Sequence, residues 1–277
     1  MGTCIYCGNG AGFLKSKHKH CADAALQATS KISGLLPNLL DKSLDPSSLA
    51  TKLQEIRATA NLTEKEFRES IGAGLLHLRD RILNDGTVNE QEETLVANVL
   101  GQLVSLVDEG TLNSVKSELV KALILGDLSE GRVVNRLDLK DLPILLKPKE
   151  TVLWAFTGVK YFAYRRNRQF VSGSRGVSVR VAKGLYFRAG ASKGRTIVTD
   201  DLTHEDTGIF VISDQAVYFK GVKSSFSIDV LRILSVEPFS DSLELSDNRK
   251  TSKPMLFGVS DPVFAANLIL NLRNLDR

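Results

Sequence analysis

Residues 208–246, GIFVISDQAVYFKGVKSSFSIDVLRILSVEPFSDSLELS, decide how the C-terminal half of this chain folds. Ile209 to Ile212 form an apolar run that stops at Ser213-Asp214, and Ala216 to Phe219 form another that stops at Gly221. Phe226 and Ile228 then alternate with polar neighbours, as do Leu243 and Leu245. Short β-branched and aromatic runs closed by Gly, Asn or Asp read as antiparallel strands joined by tight turns. The same texture extends outward. TVLWAFTGVKYFAYRR (151–166), QFVSGSRGVSVRVAKGLYFRAG (169–190), RTIVTDD (195–201) and KPMLFGVSD (253–261) are further β-rich segments. PVFAANLILNLRNL (262–275) changes period: Phe264, Leu268, Ile269 and Leu272 share one helical face, and Asp261-Pro262 supplies the start signal.

About seven strands followed by one amphipathic helix is the plan of a small closed β-barrel capped by its last helix. The Gly-led strand, the aromatic strand ending in Tyr218-Phe219-Lys220-Gly221 and the apolar ridge after it resemble GRAM-like and bacterial PH-like domains over roughly residues 150–275. The resemblance implies a recognition module of the PH type. It also implies that YRRNRQ (164–169) forms the first hairpin turn, where phosphoinositide-binding relatives carry basic residues.

Charge is distributed unevenly. Residues 22–150 hold 15 basic and 20 acidic side chains, residues 151–195 hold 10 basic and no acidic ones, and residues 196–277 hold 8 and 12. A basic belt thus lies between two mildly acidic stretches: Lys160, Arg165, Arg166, Arg168, Arg175 and Arg180 lead it, with Lys183, Arg188, Lys193 and Arg195 behind. Aromatic residues such as Tyr161, Phe162 and Tyr164 are interleaved. Such a belt suits an anionic membrane surface or an acidic protein partner. The alternative is a nucleic-acid backbone, met by the belt together with the lysine-rich N-terminal stretch that carries Lys15, Lys17 and Lys19. Solvated strand edges, or docking onto the chain's own acidic helical stretch, would explain the same charges without a ligand.

The other end is read by its cysteines. All three lie in MGTCIYCGNGAGFLKSKHKHCADAALQ (1–27), spaced Cys4-x2-Cys7, then His18-x2-Cys21. Two donor pairs, each two residues apart, are what a tetrahedral structural Zn²⁺ asks of a chain. Gly8 permits the turn behind Cys7, and Cys21 falls at the start of a good helix former, where the dipole favours a thiolate. His20 competes with His18 for the fourth place, but its adjacency to Cys21 favours His18. The first 25 residues resemble short zinc ribbons and treble-clef knuckles, with a His where those carry a fourth Cys. Lys15, Lys17 and Lys19 surround the cluster. The alternative is a tail of free thiols with incidental histidines.

Between the two lies helix. DPSSLATKLQEIRATA (45–60), LTEKEFRESIGAGLLHLRDRILNDG (62–86), TVNEQEETLVANVLGQLVSLVDEG (87–110) and TLNSVKSELVKALILGDLSEG (111–131) each carry apolar residues at helical spacing. Thr63-x-x-Glu66 is a capping box. "Asp-Gly-x-hydrophobic" helix starts resemble TerB-type helical domains of tellurite resistance, and the Gly86 region imitates half an EF-hand whose ligand positions are wrong for calcium. His77 is expected in the core on an apolar helix face.

These readings combine into an α+β multidomain protein: a zinc knuckle (1–25), an all-α segment (26–142) and a PH/GRAM-like antiparallel β-barrel with a C-terminal helix (143–277). No Gly-x-Ser-x-Gly elbow, P-loop or paired catalytic carboxylates occur in the sequence, and His204 has no nucleophile placed beside it, so no enzyme is expected. No stretch approaches the roughly 18 apolar residues of a spanning helix. With clustered rather than paired cysteines and no leader pattern, a cytoplasmic, bacterial-type adaptor is expected, peripheral to a membrane at most.

Overall fold

The computed structural model describes residues 2–41, 45–85, 88–137, 139, 142–171, 179–182, 185–187, 195–249 and 253–275, with side chains described outside 165–201 and residue 85. Two compact units divide the chain, Met1–Arg132 and Val133–Arg277.

In the first unit, β1 (Gly2–Thr3) and β2 (Gly10–Gly12) pair antiparallel as a short hairpin. Five helices follow: α1 (Lys19–Leu35), α2 (Leu49–Ala60), α3 (Glu64–Ile82), α4 (Glu90–Leu103) and α5 (Glu109–Ser129). Their starts have chemical causes. Thr63 and Glu66 close the capping box expected at α3, Asn89 and Glu92 close another at α4, and Asp108 accepts from Thr111 N–H at α5. Each cap satisfies backbone donors that the first helical turn leaves without partners. Phe67, Ile71 and Leu75 of α3 are buried and share one core cluster with Ile32, Leu53, Val99 and Val115. Cys4, Tyr6 and Ala11 of the hairpin belong to that same cluster. His77 departs from expectation: it is exposed, while Leu75 and Leu78 of the same helix are buried.

The second unit carries β3 (Val152–Val171), β4 (Val179–Ala182), β5 (Leu185–Phe187), β6 (Arg195–Ser213), β7 (Ala216–Gly221), β8 (Ser225–Asp229), β9 (Ile233–Pro238), β10 (Leu243–Asp247), β11 (Met255–Gly258) and α6 (Pro262–Arg273). Seven of these strands form one antiparallel sheet in the order β8-β7-β6-β3-β11-β10-β9, and β4 and β5 pair separately. The expected closed barrel is not formed. Among the described residues no pairing joins the edge strands β8 and β9. The chain passes from one edge to the other through a 3₁₀ turn at Val230–Arg232, and α6 packs against that turn and against β9.

Aromatic residues make the centre of this unit. Phe210, Phe219 and Phe257 are fully buried, with Phe210 and Phe257 centroids 4.7 Å apart. Phe264 of α6 meets the Trp154 ring edge-on at 4.9 Å, which docks the last helix. Asp261 caps that helix by accepting from Phe264 N–H at 3.0 Å.

Two expectations about strand ends are corrected. YRRNRQ is not a hairpin turn; Arg165, Arg166 and Arg168 lie inside β3, which runs on to Val171. Likewise RTIVTDD and the strand beginning at Gly208 are one continuous β6. The polar stretch between them stays extended because every residue finds a ladder partner on β3 or flanks a bulge. The neighbouring strands are shorter. β11 pairs only with residues 160–163 of β3, and β7 only with residues 208–212 of β6. Beyond these, among the described residues, Arg165–Val171 and Arg195–Asp201 pair with each other, a two-stranded ribbon that runs about 20 Å past the shorter neighbours at the usual rise per residue.

Candidate metal centre and basic ribbon

A tight turn opens the site. Cys4 N–H donates to Asn9 O at 2.7 Å and Gly8 N–H to Cys4 O at 2.9 Å, with Gly8 at φ +73°. The turn carries Cys4, which is buried, and Cys7, which is exposed. The chain returns through Gly12 and enters α1 at His18, the residue just before the helix, in an extended conformation. Cys21 follows in the first turn and is half-buried.

One ligand atom each from Cys4, Cys7, His18 and Cys21 lies within 4.8 Å of all the others. His18 Nδ1 stands 3.4 Å from Cys7 Sγ and 3.9 Å from Cys21 Sγ. A tetrahedral zinc with ordinary bond lengths separates such atoms by about 3.6 Å. The opposite ring nitrogen, His18 Nε2, lies 3.0 Å from Gly10 O. Only an N–H can satisfy that carbonyl, so the proton belongs on Nε2 and the Nδ1 lone pair faces the sulfurs. That is the outer-shell bond that orients metal-binding histidines. His20 stacks on His18 with centroids 5.2 Å apart, and its Nε2 approaches Cys21 Sγ at 3.2 Å. The four residues can hold a metal ion, and their soft sulfur and imidazole donors suit a thiophilic divalent cation.

Cys4 and Cys21 are shifted in opposite directions. Burial works against the Cys4 thiolate, but backbone N–H groups of Cys7, His18 and Tyr6 outweigh it and bring its pKa down to about 6. Cys21 goes the other way, pushed up to about 11 by burial and by the neighbouring Cys7 and Cys4 sulfurs. The helix start expected to favour a Cys21 thiolate is outweighed by this crowding. A cation among three sulfurs reverses that logic, because it supplies the charge that lets all of them ionise.

The hairpin is fastened by a residue that sequence reading passed over. Tyr6 Oη donates to Glu66 Oε1 at 2.7 Å, while Glu66 Oε2 accepts from Thr63 N and Thr63 Oγ1. The capping box of α3 therefore doubles as the anchor of the metal hairpin. An aromatic residue between two ligand cysteines was the signal available for it. The Glu66 bond and burial hold the Tyr6 hydroxyl up at about 12.

The basic belt is placed in pieces. Lys160 is exposed and borders a shallow cleft with Thr157, Phe162, Asp241, Ser242 and Ser260. Arg165, Arg166 and Arg168 occupy β3 within the projecting ribbon, and Arg180 lies on β4. Arg175 falls outside the described residues. The register sets Arg165 opposite Asp201 and Arg166 opposite Asp200, so two acids from just beyond the belt lie across the ladder from it. His204, in β6, is exposed and sits 3.1 Å from Thr207 Oγ1.

No family model matches the chain, and no curated protein matches it. A crystal structure of the linker and DH/PH domains of p115-RhoGEF, truncated at its N-terminus, is similar at 10% identity and a TM-score of 0.25, over 93% of this chain and 71% of that one. That likeness lies below the level at which a shared fold is inferred. Among the described residues no helix is long and apolar enough to cross a membrane.

Proposed function

We propose that this protein is a non-catalytic adaptor. A structural Zn²⁺ on Cys4, Cys7, His18 and Cys21 locks its N-terminal unit, and a PH/GRAM-like C-terminal unit uses the basic belt to meet an anionic membrane surface or an acidic protein partner, from a cytoplasmic position. The observation that carries the reading is the closure of the metal cluster. Four protein donors within 4.8 Å of one another would fill a tetrahedron around an ion and leave no position for substrate or an activated water, which supports structural rather than catalytic zinc. Non-catalytic recognition also accords with the described histidines outside the cluster. His77 and His204 are both exposed, and the hydroxyl that His204 meets at 3.1 Å belongs to Thr207, itself exposed.

A second reading is favoured by one feature. A projecting two-stranded ribbon with cations is the shape that enters a nucleic-acid groove. Flotation with anionic vesicles over a salt series, with duplex DNA as competitor, separates the two. The adaptor reading expects vesicle or acidic-protein binding that survives DNA and is lost in the triple variant Arg165→Glu, Arg166→Glu, Arg168→Glu. Displacement by DNA establishes the second reading instead. Binding that is indifferent to the triple variant removes the belt from both. One zinc per chain in metal analysis, lost in Cys7→Ser, tests the metal itself.

A further inference from the structure

The loop between β2 and α1 reads Phe13-Leu14-Lys15-Ser16-Lys17. Phe13 is 83% exposed and Leu14 88%, two large apolar residues adjacent in the chain at the tip of this loop, which leaves β2 at the end of the hairpin away from the Cys4–Asn9 turn. Nothing in the core calls for them there. The loop is nevertheless firmly held. Ile5 N–H donates to Ser16 O at 2.9 Å, and the Lys15 carbonyl lies so close to Gly2 that a Cβ at that position would fall on its oxygen. Ile5 is itself 55% exposed. Lys15, Lys17 and Lys19 are exposed beside the tip, and no acidic residue occurs among residues 1–22. Lys17 also acts on Glu66, so it is shared between the tip and the anchor.

We infer that this tip is a membrane wedge: Phe13 and Leu14 insert into the interfacial region of an anionic bilayer while Lys15 and Lys19 rest on its headgroups. Apolar side chains flanked by cations match the two layers of such an interface, hydrocarbon below and negative charge above. A protein partner able to cover the same tip would need an acidic rim around an apolar pocket. A bilayer carrying phosphatidylserine offers both without further design. Its ties to Ile5 and Gly2 hold the loop in advance, and on the metal reading proposed above the ion would fix the hairpin they belong to, so little ordering remains to be done at insertion. The wedge is separate from the belt and stands whether or not the belt binds anything.

The test uses the zinc-loaded full chain and vesicles of phosphatidylcholine with and without phosphatidylserine. In Phe13→Trp, the added indole emission should shift to the blue on phosphatidylserine vesicles and be quenched by lipids brominated on their acyl chains, over the unchanged Trp154 background. The double variant Phe13→Ser, Leu14→Ser should partition at least about tenfold more weakly, given what burying two such side chains contributes. Zinc content and circular dichroism should remain as in the parent chain, since neither side chain is packed. Lys15→Glu with Lys19→Glu should abolish the preference for phosphatidylserine. Failure of the parent chain to float, or a tip tryptophan left unquenched on vesicles that do bind, overturns the wedge. The belt triple variant should keep the quenching even where its overall affinity falls, so loss of the belt reading leaves this result standing.

Discussion

Tyr6 has one hydroxyl and two consequences. Its bond to Glu66 ties the metal turn to the first turn of α3, and Tyr6→Phe should lower the stability of the N-terminal unit by about 1.5–3 kcal/mol, the worth of a hydrogen bond to a charged acceptor. Thermal denaturation of the zinc-loaded protein measures it. The pair also sets a pH window. Burial opposes the Glu66 carboxylate, but the bonds from Tyr6 and Thr63 overcome it and hold the pKa below the ordinary value. A depressed carboxyl contributes stability above its unfolded pKa and loses it as pH falls through the folded one, so acid weakens this anchor. Tyr6 works in the opposite sense. Its pKa is raised from 10 to about 12, so its contribution is complete below 10 and disappears as pH climbs between those values. A stability profile should therefore decline at both ends, and in Tyr6→Phe the alkaline decline should be smaller. Asp206 has a parallel role in the second unit. Burial disfavours its charge, yet N–H groups of Ser224, Lys223, Thr207 and Val222 together depress its pKa. Asp206→Ala should lower the melting point and flatten the acid limb of that unit.

Among the elements, the β6–β7 hairpin shows how a sequence pattern becomes a packing requirement. Gly208, which leads the first strand quoted above, and Gly221, which ends the second, are register partners. A Cβ on Gly208 would strike the Lys220 carbonyl, and one on Gly221 would strike the Asp206 carboxylate. Gly208→Ala should accordingly destabilise the second unit more than an alanine at the exposed Leu231 does, read as a fall in denaturation midpoint with zinc content unchanged. The last helix gives a calibrated comparison: Asp261→Ala removes its cap and should cost about 1 kcal/mol. Legibility varied with the physics of each element. The α6 face, the Thr63–Glu66 cap and the Cys/His spacing could be read because they depend on neighbours three or four residues away. The length of β3 and β6 could not. Arg165-Arg166-Asn167-Arg168 and Asp200-Asp201 look like turn sequence, and what keeps them extended is a partner some 30 residues distant. The open sheet was hidden for the same reason, since barrel closure depends on whether β8 meets β9 and no local pattern encodes that. Tyr6 and Glu66, 60 residues apart, form another such pair.

At the scale of the molecule, the division into two units predicts a divided response to metal. Chelation should destabilise residues 2–132, whose core includes Cys4, Tyr6 and Ala11, and should leave the melting of residues 133–275 where it was. Differential scanning calorimetry with and without chelator, followed by hydrogen exchange to assign the transitions, checks it. A single transition that shifts as a whole would mean the two units unfold together.

The membership of Cys4 and Tyr6 in one core with Val115 has a consequence for biosynthesis. These early residues leave the ribosome long before α5 has been translated, so for that interval the hairpin has no helical surface to rest on. Three thiols are then open to oxidants and to competing metals, and the hairpin turn, which needs only the first 21 residues, is all that can shelter them. On the zinc reading proposed above, prompt capture of the ion by the nascent chain would commit the correct partners early. Zinc starvation would then be expected to give a chain that completes its C-terminal sheet while oxidants link its N-terminal cysteines to other thiols.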